Sequence, residues 1–192
     1  MKLKLIATAT ALMLATASQA AVTVYTSQSA FAAALGTLST EDFSDTTLVP
    51  GLSFVSTVGS IGTSRFNDRL VIGSAETTFS FAGGANGFGA IFDLNPGGLG
   101  QGIGFTLNLV GGGTEFAGSL LTSTVGFFGF TSTNAFTSVT LRGDSGCCAE
   151  TYNLDNLQFG SAVPEPGTWM LMVVGFGLVG AGMRKRSTVV AA

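Results

Sequence analysis

The chain has 192 residues, 8 Lys plus Arg, 11 Asp plus Glu and no histidine, for a formal net charge of −3. That length suits one domain once targeting segments are set aside. Without histidine there is no Ser-His-Asp or Cys-His nucleophile and no histidine-bearing zinc site.

The amino end sets Lys2 and Lys4 before an apolar run from Leu5 to about Ala15, then a polar stretch ending at Ala20-Ala21. A basic start, an apolar middle and small residues before a cut describe a secretory signal peptide, residues 1–20. Ser18 and Ala20 suit the two small pockets of signal peptidase, so cleavage is expected between Ala20 and Ala21. The apolar run is shorter than the ~20 residues a spanning helix needs.

From 21 to 162 the chain reads as one extracytoplasmic domain. It holds three arginines (Arg65, Arg69, Arg142), no lysine and ten acids, a net of −7. A polyphosphate backbone needs clustered cations, so nucleic acid is excluded as a partner. One short helix is expected over Ala30 to Leu35, capped by Ser27 or Ser29 and stopped at Gly36. Strands are expected at Val22 to Thr26, Ser53 to Val58, Leu70 to Ile72, Thr77 to Phe81 and Ala90 to Leu94. Others follow at Ile103 to Leu109, Ser119 to Thr122, Val125 to Phe130, Ser138 to Arg142 and Tyr152 to Phe159. In Ile103 to Leu109 every odd position is apolar and every even one small or polar, the alternation of a half-buried strand. Gly83-Gly84, Asn95-Pro96-Gly97-Gly98 and Gly111-Gly112-Gly113 between them read as turns. About ten short strands spaced by turns predict an all-β, antiparallel two-sheet sandwich. Its core is packed with phenylalanine, of which the chain has 16.

Cys147 and Cys148 are adjacent, closer than the usual Cα separation of a disulfide allows without strain. A strained vicinal disulfide, a link between chains and free thiols stay open for them. Arg142-Gly143-Asp144 reads as a turn between strands, and Gly100 to Gly104 lacks the helix and Lys-Ser/Thr of a phosphate loop.

With no histidine and no domain lysine, an enzyme must rest on carboxylates. Glycoside cleavage needs two of them roughly 5 to 10 Å apart. Glu41, Asp42, Asp93, Glu115 and Glu150 are available, but none falls in a pairing motif; a glycan-active enzyme is the second reading of the domain. Asp155, in a Leu154-Asp155-Asn156-Leu157 setting where alternation should be strict, is a candidate calcium ligand with Glu41 or Asp42 as partner.

Past Val163 the character changes. Pro164-Glu165-Pro166 breaks regular structure. Trp169 and the uncharged, glycine-rich run to Met183 lead to Arg184-Lys185-Arg186. An interfacial tryptophan at one end and a basic cluster at the other describe a C-terminal transmembrane helix with its carboxyl end cytoplasmic. At about 15 to 17 residues it is short for a permanent span.

These residues, Val163 to Trp169, the glycine-bearing run Met170 to Met183 and the basic cluster, resemble the PEP-CTERM sorting signal. The resemblance covers about 25 residues (163–187, with 188–192 a trailing tail) and, beside a signal peptide, is specific. It implies recognition of Pro-Glu-Pro by an exosortase-like membrane enzyme, transient residence in the inner membrane, and delivery to the cell surface or extracellular matrix of a polysaccharide-producing bacterium. The domain is also similar to ectodomains common in that family, through Gly87 to Leu94, Val125 to Phe130, Phe136 to Leu141 and Tyr152 to Gly160. That likeness implies a jelly-roll or galactose-binding-like sandwich and names no ligand. The expectation is a non-catalytic exported protein whose domain is glycan-binding or matrix-structural, with extracellular polysaccharide as partner. A protein permanently anchored by its tail is the remaining alternative.

Overall fold

The computed structural model describes residues 21–71, 73–95, 100–144, 149–162 and 166–184. In chain order the elements are β1 (Val22–Tyr25), α1 (Gln28–Ala33), β2 (Leu35–Glu41), β3 (Leu52–Ser56), β4 (Ser60–Ile61) and β5 (Phe66–Val71). Then come β6 (Glu76–Asp93), β7 (Ile103–Leu109), β8 (Thr114–Leu120), β9 (Val125–Gly143), β10 (Ala149–Ala162) and α2 (Pro166–Arg184). Every strand pairing is antiparallel.

Hydrogen bonds join all ten strands, yet the long strands β6 and β9 run through two layers. Their ladder has two main blocks, Glu76–Ser80 against Ser138–Arg142 and Gly87–Asp93 against Val125–Thr131, with its register shifted between them. In the first block β3 flanks β6 while β7, then β8, flank β9. In the second, β10 flanks β6 and β1 flanks β9; β2, β5 and β4 extend that layer beyond β10.

The corner is made where Gly83 and Gly84 take φ of 85° and 81°. Glycine enters that region without the clash a Cβ would bring, so β6 bulges and turns rather than ending. Gly83-Gly84 is therefore no hairpin turn, and two expected strands are one. The same holds for Val125 to Phe130 and Ser138 to Arg142, which merge into β9.

Between the layers lies the phenylalanine core. Phe105 of one layer meets Phe88 and Phe128 of the other at ring-centroid distances of 6.3 and 5.1 Å, and Phe79 meets Phe66 at 5.3 Å. Phe66, Phe79, Phe88, Phe92, Phe105 and Phe130 are wholly buried. Each such ring contributes roughly 1.5–3 kcal/mol on leaving water.

Three local expectations need correction. The helix ends at Ala33, its first turn capped by Ser27, whose Oγ accepts from the Ala30 amide at 3.4 Å. Leu35 then begins β2, so Gly36 lies in a strand that pairs with β10, a pairing that outweighs the local helix signal. Around Asp155 the β6–β10 ladder shifts register and Asn156 has φ 48°. Leu154 and Leu157 are both buried with two residues between them, so strict alternation gives way to a bulge. Finally, α2 occupies the expected carboxyl-terminal run, but no helix among the described residues is long and apolar enough to cross a membrane.

Candidate functional site: the carboxyl-terminal segment and the outer face of one layer

The last strand leads almost directly into the tail, since β10 ends at Ala162 and α2 begins at Pro166. Proline suits a first helical position, where its missing N–H has no intrahelical partner to lose. Of α2's side chains, Met172, Val173, Val174, Phe176, Leu178, Val179 and Met183 are exposed. A helix whose apolar side chains from Met172 to Val179 stand exposed needs an apolar solvent or partner. Pro166, Trp169 and Arg184 lie on this helix, whereas Pro164, Glu165, Lys185 and Arg186 fall outside the described residues, as do Ala20 and the Cys147-Cys148 pair. Ala21 is the first described residue; its amide donates to Thr133 Oγ1 at 3.1 Å.

A second surface was not legible in the sequence. On the outer side of the layer built from β3, β6, β9, β7 and β8, register lines side chains into rows across the strands. One row reads Ser53, Ser80, Ser138, Asn108 and Thr114; the next reads Val55, Thr78, Thr140, Thr106 and Phe116. The rows are cross-linked. Asn108 Nδ2 donates to Ser138 Oγ at 2.9 Å and to Thr140 Oγ1 at 3.2 Å, and the Thr78 and Thr140 hydroxyls are 2.9 Å apart. Beyond them Glu76 faces Arg142, whose Nε donates to Glu76 Oε2 at 2.8 Å. Phe116 is 62% exposed. The signal that could have found it is Thr114-Glu115-Phe116-Ala117, where alternation sets the phenylalanine on the wet face beside Thr114 and the alanine inside.

The candidate acids serve separate local structures. Glu41 is buried and accepts from the Phe43 amide at 2.7 Å and the Val49 amide at 2.8 Å, stapling the β2–β3 loop. Asp42, exposed, accepts from the Ser44 amide at 2.9 Å; that bond, then the Ser44 hydroxyl, holds its carboxyl below the usual range. Asp155 Oδ1 accepts from the Asn156 amide at 2.7 Å. Asp93 takes the Asn95 amide, Glu115 the Ser132 hydroxyl, and buried Glu150 the Gly102 amide and Thr122 hydroxyl. No two of these acids share a hydrogen-bond partner among the described residues.

For calcium, no three metal-ligating side chains cluster among the described residues, and both Glu41 oxygens are taken by amides. Chelation with EDTA is accordingly expected to leave the melting temperature unchanged. A fall that Asp155→Ala abolishes would return Asp155 to a structural ion, since a ligand of the folded state alone stabilises it by mass action.

The family model of the PEP-CTERM protein-sorting motif matches residues 162–187. The chain carries a PEP-CTERM protein-sorting motif. The PEP-CTERM motif marks it as an exported protein that passes through a membrane. No curated protein matches it in sequence. Among solved structures, two mutants of a carbohydrate binding module of family 29 are similar. One aligns at a TM-score of 0.48 and 10% identity, covering 68% of this chain and 98% of that one. The other aligns at 0.47 and 9%, covering 68% and 99%. Likenesses so distant decide neither ligand nor activity.

Proposed function

We propose that this is a secreted, non-catalytic protein of a bacterial surface or extracellular matrix, with a glycan-binding or matrix-structural domain. The observation that carries the reading is the PEP-CTERM motif at residues 162–187. Signal peptidase removes residues 1–20. The tail, 163–187, then holds the folded domain, 21–162, at the outer face of the inner membrane. There α2 lodges as a marginal membrane segment: about 28 Å of helix at 1.5 Å per residue, close to the ~30 Å hydrocarbon core but glycine-rich. Marginal insertion suits an intermediate that an exosortase-like enzyme processes and releases. The domain's acidity and freedom from lysine fit a matrix of neutral glycan rather than nucleic acid, and its antiparallel layers fit a jelly-roll-like sandwich.

The experiment is the mass and location of the mature protein in cells with and without the sorting enzyme. Mature protein is expected to begin at Ala21 and, when the enzyme is present, to lack the mass of the tail and lie outside the inner membrane. An amino end at Met1 would sink the signal peptide, and an intact tail on protein at its final location would make the segment a plain anchor.

A further inference from the structure

We propose that the outer face of the β3–β6–β9–β7–β8 layer binds an uncharged polysaccharide chain, laid across the strands and ending on Phe116. This deepens the glycan-binding reading above and rests on it. The face offers Thr78, Thr106, Ser138 and Asn108, half-buried and pointing outward from three neighbouring strands, β6, β7 and β9. A hydroxyl both donates and accepts, so such a row can meet sugar hydroxyls in either sense. Adjacent strands lie about 4.8 Å apart, which repeats the polar groups at a regular step along the row.

The row is already ordered. Asn108 uses both amide protons on Ser138 and Thr140, and Thr140 is bonded to Thr78. Groups pinned by their neighbours lose little freedom when a ligand arrives. Asn108 keeps Oδ1 as an acceptor.

At the β8 end the Phe116 ring reaches over Gly104, where an added Cβ would stand 3.4 Å from its Cε2. A Cβ at 104 would touch the ring, which therefore lies against the strand at that glycine. The result is an exposed apolar plate beside a polar row, a match for the C–H face of a pyranose whose rim carries hydroxyls. At the other side of the face a recess of about 520 Å³, lined by Ser53, Ser80, Ala82, Thr137 and Ser138 among others, gives the first row a concave flank.

Charge selects the ligand. The face holds the Glu76–Arg142 ion pair and, beside Gly104 and the Phe116 ring, the exposed Asp144 carboxylate, so its remaining charge is negative. The domain as a whole carries an excess of seven acids and no lysine, which repels uronate or sulfated chains. An uncharged polyhydroxy chain is what remains.

The test is affinity electrophoresis of the mature protein in gels holding dextran, a β-glucan, a galactomannan or alginate, at low and raised salt. At least one of the three neutral polymers is expected to retard the protein at both salt levels. Phe116→Ala and Asn108→Ala should each weaken that retardation about tenfold or more, as loss of a central contact does, with the melting temperature of Phe116→Ala unchanged. Retardation by alginate alone overturns the proposal. Retardation by a neutral polymer that both variants retain overturns the face while sparing the glycan reading. Retardation by none of them overturns both, leaving the sorting reading to its own experiment. If Phe116→Ala instead converts an oligomer to a monomer without touching retardation, the face joins copies of this chain and the proposal fails.

Discussion

Protein carrying Ala at both 164 and 166 is expected to be exported normally and then to accumulate in the inner membrane at full tail mass. Proline fixes its own φ near −65° and keeps the residue before it out of the helical region. In the sequence Val163 and Glu165 each precede a proline, a setting that favours extended backbone. Extended backbone is the form that proteolytic enzymes bind. Alanine is the best helix former, and with it at both positions α2 can grow toward the domain and hide the cleavable bonds in helical hydrogen bonds. The complementary variant replaces Arg184, Lys185 and Arg186 with Ser. Moving such charges into hydrocarbon costs several kcal/mol on insertion scales, so their loss should let the segment slip through and give tail-bearing protein that the membrane no longer retains. Fractionation with mass measurement reads both. A proline variant that matures and localises like wild type would show that Pro-Glu-Pro plays no part in sorting.

Asp68→Ala is expected to cost about 3 kcal/mol, the worth of one to two buried hydrogen bonds to a charged group. Asp68 lies in β5 and is buried. Its Oδ2 accepts from the Tyr152 hydroxyl at 3.0 Å and from the Thr77 hydroxyl, and its Oδ1 from the Arg69 amide at 2.7 Å. Thr77 Oγ1 is 2.5 Å from Ser56 Oγ, which also accepts from the Gly59 amide at 2.7 Å. Tyr152 and Asp68 belong to one layer, Thr77 and Ser56 to the other, so the network ties the layers together inside an otherwise apolar core. Deleting the carboxylate strands the wholly buried Tyr152 hydroxyl and leaves the equally buried Thr77 hydroxyl with Ser56 alone, in a place water does not reach. For a domain of this size that is a drop of roughly 10 °C in melting temperature.

The same network predicts an alkaline limit. Burial, then the negative charge of Asp68, raises the Tyr152 hydroxyl well above the ordinary tyrosine value of 10.0. In the unfolded chain Tyr152 ionises near that ordinary value while in the folded domain it keeps its proton. The contribution is therefore whole below pH 10 and is lost as pH climbs beyond it, because the unfolded state alone gains by releasing the proton. Tyr152→Phe should cost about 1.5–3 kcal/mol at neutral pH, one hydrogen bond to a charged acceptor, and should flatten the decline above pH 10. Thermal melts of both proteins across alkaline pH check this; parallel declines would assign the alkaline loss to other groups.

The sorting motif of the tail was legible because its chemistry is local. Basic residues, an apolar run and a proline pair act through sequence order, with no partner elsewhere in the chain. Much of the β-rich character was local too. Ile103–Leu109 is a strand with the limits its alternation marks, since period two records which face is wet. What pairs with what is a different matter, and only the folded chain decided it. Gly83-Gly84 could serve a turn or a bulge, because the same positive φ is open to glycine in both; the ladder on either side made it a bulge. Leu35–Glu41 carries weak strand character and became a strand because β10 offered it an edge. By sequence alone Glu41 is a candidate carboxylate for calcium or catalysis, and nothing singles out Asp68. Glu41 takes the amides of its own loop, Phe43 and Val49, whereas long-range folding gave Asp68 the hydroxyl of a tyrosine 84 positions away. The hydroxyl rows are the same kind of object. Thr78, Thr140, Thr106 and Phe116 lie on four strands, and a line through them exists only once those strands are set side by side in one register.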